Sequence, residues 1–251
     1  MSFEPLPDRL ARSWADAIRR LAAASLKGWH TERGTTGAVV IGAAAPALNV
    51  AYALAPDPDL STLDEMAATV ARQGLPWSIV VREAAAGVAA SVAARHGLTE
   101  CHAMPVMACP AADAVLTVDR ASAGRVERAG AEAADVYIAT MAAGFGAPVE
   151  VFDLVMGGEV LDAPGFAGYL AGSAATGLGV QGDGVIGLYN VTVVPSRRGE
   201  GLGRAMTVRA LADGFAAGAE IAYLMPSVEG RPLYESIGFS DVETWAMFSH
   251  D

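Results

Sequence analysis

The residues best suited to chemistry are Arg198-Gly199-Glu200-Gly201-Leu202-Gly203-Arg204. Glycine alternates with other residues, and arginine stands at both ends. A β-branched run, Val191 to Val194, leads in and stops at Pro195, which cannot extend a ladder. Ala205, Met206, Val208, Leu211 and Phe215 follow at helical spacing. The stretch therefore reads as strand, glycine-rich turn and helix. At such a junction several backbone amides lack internal acceptors and point one way, and the helix dipole adds partial positive charge. Together they suit a phosphate or pyrophosphate. Glycines let a ligand come close to the backbone, and Arg198 and Arg204 can add charge-assisted contacts. The loop lacks the Gly-Lys-Ser/Thr of a P-loop. It also lacks the Gly-x-Gly-x-x-Gly spacing, with an acid downstream, of a dinucleotide site. Taken alone, the glycines are equally compatible with a tight turn that binds nothing.

The elements that must hold this loop are legible from periodicity and punctuation. In the second half, Ala114–Val118 reads as a strand and one or two helices cover 123–144. A helix over 147–156 stops at Gly157-Gly158, and strands follow over 166–172, 174–180 and 185–194. Gln181-Gly182-Asp183-Gly184 is a hairpin turn. After the loop come a helix over 201–216, a strand over 220–225, a short helix near 230–237 and a closing strand over 241–248. The first half predicts a helix over 8–26, strands over 37–42 and 47–54, and a helix over 61–73 capped by Ser61. A strand over 77–82, a helix over 85–96 ending at Gly97, and a strand region over 98–109 complete it. The halves share this rhythm. Asn49–Leu54 and Asn190–Val194 occupy one slot, and His96-Gly97-Leu98 and Ile237-Gly238-Phe239 another, as a duplication with its boundary near 110–115 would produce.

Composition narrows the partners. The chain has 251 residues, 53% of them apolar, with a formal net charge of −11. It can bury a sizeable core, and its charge gives no drive toward nucleic acid or anionic membrane. The two cysteines, Cys101 and Cys109, match neither a disulfide framework nor a metal site, so no metal is expected and both thiols are expected reduced. Residues 7–27 carry charge among apolar positions rather than a signal peptide. The uncharged stretch 37–56 contains Gly42, Pro46 and Asn49, which fits two buried strands better than a membrane span. A cytoplasmic protein is expected, with oligomerisation left open.

The second half resembles the GNAT superfamily of acetyl-CoA-dependent N-acyltransferases. The family carries Arg/Gln-x-x-Gly-x-Gly/Ala after its fourth strand, and Arg198-x-x-Gly201-x-Gly203 matches it. So do Val193-x-Pro195 upstream and the later segment Ser227 to Phe239, with Gly230, Leu233, Tyr234 and Gly238. The resemblance is clear over residues 150–240. It implies a mixed α/β (α+β) fold, a largely antiparallel sheet flanked by helices, in two tandem GNAT-like domains. These would be a degenerate one over 1–113 and an acetyl-CoA-binding one over 114–251.

The resemblance also implies roles. The backbone of Val191, Thr192 and Val193 would pair with the pantetheine arm, and an amide there would polarise the thioester carbonyl. The amides of Arg198, Gly199, Glu200, Gly201, Leu202, Gly203 and Arg204 would hold the pyrophosphate. Ser227 would contact the cofactor, and Tyr234 would protonate the leaving thiolate. The implied activity is acetyl transfer from acetyl-CoA to an amine, small molecule or peptide, of unknown identity. The alternative is a weak or inactive acyl-CoA-binding module. One departure keeps that alternative open: the family's glutamate near the start of the fourth strand is Gly187 here. Glu150, Asp153 and Glu159 are substitute acids by position only. In the first half the corresponding loop, 55–65, has Asp57, Asp59, Asp64 and Glu65 in place of glycines and arginines, so that half is expected to have lost cofactor binding.

Overall fold

A computed structural model describes residues 4–123 and 125–250. The chain runs α1 (Leu6–Ala24), β1 (Trp29–Arg33), β2 (Thr36–Val40), β3 (Asn49–Ala53), α2 (Leu60–Ala71), β4 (Ser78–Val81), α3 (Glu83–Arg95) and β5 (Glu100–Pro110). It continues through α4 (Arg120–Ala123), β6 (Glu127–Ala129), α5 (Ala134–Phe145), α6 (Val149–Met156), β7 (Phe166–Leu170), β8 (Ala175–Gly182) and β9 (Val185–Val193). α7 (Leu202–Ala216), β10 (Ile221–Leu224), α8 (Arg231–Glu235) and β11 (Ser240–Ser249) complete it. The expected class holds: mixed α/β, with largely antiparallel strands flanked by helices. Among the described residues, no helix is long and apolar enough to cross a membrane.

Two compact units result, one from residues 1–106 with 241–251, the other from 107–240. In the first, the strand order is β1-β2-β3-β4-β11. β1, β2 and β3 are antiparallel, β3 and β4 are parallel across α2, and β11 runs antiparallel to β4. α2 and α3 cover one face, with Leu63, Met66, Val70, Ala89 and Val92 against Ala51, Ile79, Val81 and Phe248. On α1, Trp14 meets Tyr52 and Trp245 edge to face, at centroid distances of 5.8 and 5.2 Å.

The second unit orders its strands β6-β7-β8-β9-β10-β5. β6 to β9 form an antiparallel meander, β9 and β10 are parallel across α7, and the end of β5 is antiparallel to β10. α7 buries Leu202, Ala205, Met206 and Leu211 against Ile186, Leu188, Ala222 and Leu224. The hairpin at 181–184 forms as expected, with positive φ at Asp183 and Gly184.

Several sequence expectations fail, each for a physical reason. Ala114–Val118 forms no strand. Its backbone is satisfied instead by Ile237, through the Val115 amide, and by the Arg204 guanidinium on Val115 and Thr117. Of the one or two helices expected over 123–144, the later part forms as α5, preceded by β6 and by Gly130, whose backbone is extended. β1 was not expected, because Trp29–Arg33 is polar and exposed and carries little periodic signal. Asp59, not Ser61, caps α2 by accepting from the Ser61 amide at 3.0 Å. The closing strand, kept with the second half in the sequence reading, pairs with β4 of the first unit. Unpaired strand edges choose partners by geometry, not by distance along the chain.

β11 is tied to the first unit by charge as well as by its ladder. Arg82 follows β4 with its side chain only 9% exposed. Its Nε donates to Glu243 at 3.0 Å and its Nη1 to Asp8 at 2.5 Å. Glu243 also accepts from the Trp245 indole. Removing one of its two carboxylates leaves the Arg82 charge only partly compensated away from water. The Glu243→Ala variant is expected to lose about 3 kcal/mol of unfolding free energy. The Glu65→Ala variant, which breaks the exposed Arg33–Glu65 pair, should change it by no more than about 0.5 kcal/mol. Urea titration of both variants checks the contrast.

Candidate functional site

The site grows from the parting of two strands. Among the described residues β10 pairs with β9 through Ile221↔Val185, Ala222↔Ile186 and Tyr223↔Gly187, and no strand pairs with that edge of β9 beyond Gly187. On its other edge β9 stays paired with β8 as far as Ala175↔Val193, with a register shift between Thr176 and Leu178. At that shift Asn190 takes φ +54, and its carbonyl accepts from Thr176 Oγ1 at 2.9 Å. The bulge bends β9 away from β10. The edge over Val191–Val193 therefore has no strand beside it among the described residues, with the Val193 carbonyl taken by Arg198. Thr192 packs against α5: a Cβ on Gly144 would lie 2.5 Å from its side chain.

β9 delivers the chain through Pro195–Arg197 into the glycine loop. Gly199 and Gly201 have φ of +83° and +76°, a region costly for residues with a Cβ. The first helical hydrogen bond runs from the Ala205 amide to the Gly201 carbonyl at 3.0 Å. Among the described residues the amides from Gly199 to Arg204 have no recorded backbone acceptor, so the α7 start offers a run of donors. A Cβ on Gly203 would lie 3.3 Å from Leu233 Cδ2 and 3.8 Å from Val193 Cγ2. The loop thus sits against both the end of β9 and α8. Glycine at 201 and 203 fits a cradle that side chains would fill, and a pyrophosphate suits its donors.

The arginine side chains have partners within the protein. Arg198 donates to the carbonyls of Val193 and Gly144, each at 3.2 Å, clamping β9 to α5. Arg204 donates to Thr117, Val115 and Ser236, holding the segment before α4 and the end of α8. Both side chains brace the loop. Arg197 and Arg125 instead converge on Glu200, with Arg197 bidentate at 2.6 and 2.8 Å and Arg125 at 3.0 Å. The Arg197 hydrogen bonds, followed by Arg125, hold the Glu200 carboxyl down at about 2. That keeps it ionised and paired rather than facing an anion uncompensated.

On α8, Tyr234 is buried, edge-on to Phe239 at 5.9 Å. Burial pushes its phenol up to about 12, so at neutral pH it holds its proton. No hydrogen bond from its hydroxyl is recorded among the described residues. Ser227 turns inward on its own chain. Its Oγ accepts from the Gly230 amide at 3.1 Å and leads the chain into α8.

Gly187, where the resemblance expects an acid, lies at the vertex where β9 and β10 part. A Cβ there would stand 2.7 Å from the Tyr189 ring and 2.8 Å from the Tyr223 ring. The two rings cross edge to face at 6.2 Å, and their hydroxyls hydrogen-bond each other. The tyrosines occupy the space a side chain at 187 would need. Sequence reasoning did not single out this pair. The available signal was strand alternation, which puts Gly187 and Tyr189 on one face of β9. Glu150, Asp153 and Glu159 are exposed. Among the described residues no group of three or more His, Cys, Asp or Glu is placed to hold a metal.

No protein-family model matches the chain, and no curated protein matches it in sequence. Solved structures do. A GCN5-related N-acetyltransferase from Kribbella flavida is 19% identical with a TM-score of 0.69, over 99% of this chain and 96% of that one. A putative acetyltransferase of the GNAT family from Novosphingobium aromaticivorans is 15% identical with a TM-score of 0.57, over 94% and 95%. A GNAT-family acetyltransferase from Colwellia psychrerythraea is 15% identical with a TM-score of 0.52, over 100% and 99%. At these identities the likeness is one of fold: the chain has the fold of the GNAT acetyltransferases.

Proposed function

We propose that this protein transfers an acetyl group from acetyl-CoA to an amine, and that the second unit binds the cofactor. The observation that carries the reading is the union of two features. An open β9 edge over Val191–Val193 runs directly into a helix start whose amides, from Gly199 to Arg204, have no recorded backbone acceptor. The first suits an extended amide-bearing chain, which adds to a strand edge by main-chain hydrogen bonds. The second suits the diphosphate next to that chain. Bound acetyl-CoA supplies the thioester: an N–C bond forms, the C–S bond breaks, and the proton lost by nitrogen is matched by one gained by sulfur.

The chain's residues divide the work. The amides of Gly199 to Arg204 hold negative charge, while Arg198 and Arg204 keep the loop in shape. A backbone amide of Val191–Val193 polarises the carbonyl. Tyr234, neutral through the physiological range, gives a proton to the departing sulfur. Ser227 shapes the entry to α8 beside the cofactor.

The acceptor is an amine of a small molecule or peptide. We read the two units as diverged copies of one GNAT-like unit. Both contain a parallel strand pair bridged by a helix, β3–α2–β4 and β9–α7–β10, beside antiparallel strands. In the first, Asp59 occupies the cap of α2, where a phosphate would otherwise sit, so one cofactor per chain is expected. The unpaired Cys101 and Cys109 fit a reducing cytoplasm. The closed position at Gly187 supports a second reading, an acyl-CoA-binding module without turnover.

Three outcomes test this. Calorimetry with CoA should give one site per chain, and the Gly201→Val variant, strained at positive φ, should bind at least about tenfold more weakly. Thiol release from acetyl-CoA with an amine panel should show turnover; binding without turnover selects the module. The Tyr234→Phe variant should retain CoA affinity and lose about 100-fold in kcat. Because burial raises the phenol to about 12, that loss should be the same at pH 7 and pH 9.

A further inference from the structure

The outer strand of the first unit, β1, has β2 on one edge and no strand on the other among the described residues. It reads Trp29-His30-Thr31-Glu32-Arg33 and is exposed from His30 onward. It pairs with β2 in unbroken register, from Trp29↔Val40 to Arg33↔Thr36. The bonds between β2 and β3 show which way the main chain of β1 turns. The Leu54 amide donates to the Thr35 carbonyl at 3.0 Å, and the Ile41 amide to the Leu48 carbonyl at 2.9 Å. In this antiparallel pair Gly37 and Val39 therefore turn toward β3, and Thr36, Ala38 and Val40 toward β1. Their partners Arg33, Thr31 and Trp29 are used by β2. His30 and Glu32 turn their amides and carbonyls outward. Side chains alternate between the faces. Trp29 packs on the core under α2 and α3, and Arg33 meets Glu65 of α2 at 2.8 Å. Glu32 is on the other face, 3.9 Å from Arg19 of α1 and beside Tyr52.

We propose that β1 pairs antiparallel with β1 of a second copy, about a two-fold axis through Thr31, to give a closed dimer. A ladder forms only where outward-turned residues face each other. The registers that do so set His30 opposite Glu32, His30 opposite itself, or Glu32 opposite itself. The last puts two carboxylates together, and the second leaves Glu32 facing Gly28. The first exchanges both main-chain bonds between His30 and Glu32 of the second copy, and symmetry repeats the exchange. There the imidazole donates to the carboxylate. On the opposite face the same register sets Trp29 against Arg33 of the second copy, a guanidinium beside an indole, and Thr31 against Thr31. Every cross-strand neighbour is then complementary. β1 has no proline, and its register shows no bulge that would block such pairing. The ladder is short, so dissociation in the micromolar range is expected. The surface belongs to the first unit, and the proposal is independent of the cofactor reading.

Sedimentation velocity on the full-length chain, over about 2–200 µM, should show monomer and dimer and nothing larger, since a two-fold contact closes. His30→Pro removes an outward N–H and leaves the ladder to β2 intact. It should abolish the dimer, while its thermal unfolding, at a concentration where the wild type is monomeric, stays within about 3 °C. His30→Glu sets like charges opposite each other twice and should raise the dissociation constant about tenfold or more. Adding Glu32→His to it should bring the constant back to within about threefold of the wild type. Oxidative cross-linking reads the register, in a Cys101→Ser background that removes the exposed native thiol. Thr31→Cys should cross-link, because residues facing each other at a non-hydrogen-bonded pair lie about 4.5 Å apart at Cα. His30→Cys and Glu32→Cys should not. A purified chain that stays monomeric throughout overturns the proposal. So does a dimer that survives both His30→Pro and His30→Glu, an open series of larger species, or a cross-link at 30 or 32 in place of 31. Should His30→Pro fail to fold, His30→Glu and its rescue decide.

Discussion

The second unit depends on one constraint: β9 can keep only one of its two edges paired. Up to Gly187 both edges are satisfied, by β8 and by β10. Past it, the bulge at Asn190 turns the strand, and the β10 side loses its ladder. Unpaired main-chain groups inside a protein are costly unless something satisfies them. The proposed pantetheine arm is such a partner. The rest of the unit keeps this edge open. Arg198 ties the strand's end to α5, α7 braces the sheet from below, and the two tyrosines wedge the vertex.

The same constraint explains which side chains matter. In the loop, a ligand would meet backbone, while arginines hold that backbone in place from behind. Glu200 is balanced by two guanidinium groups, so an acidic residue can stand in the proposed anion-binding loop without repelling a ligand. At the vertex, two aromatic rings fill the space beside Gly187.

Much of this was legible in the sequence because it rests on local rules. Pro195, the alternate glycines and the apolar spacing of α7 fix a strand–turn–helix unit without reference to anything distant. Gln181–Gly184 specifies its hairpin the same way. What escaped was non-local. Ala114–Val118 has a strand's composition, but its hydrogen bonds go to Arg204 and Ile237, far along the chain. Nothing near Arg198 signals that it would reach Gly144. Tyr189 and Tyr223 look like ordinary strand tyrosines until the register sets them against Gly187. The sequence singled out Gly187, and only packing showed that the Tyr189 and Tyr223 rings leave no room for a side chain there.

The return of β11 to the first unit also affects how the protein is made. Residues 78–81 form an inner strand only once residues 246–249 have arrived beside them. A ribosome has by then delivered the whole second unit. During synthesis the early half waits with one flank of its sheet bare and the buried guanidinium of Arg82 lacking Glu243. Bare flanks of this kind invite pairing with a neighbour's strand. The nascent chain is thus most exposed to association in the interval between completing α3 and completing β11.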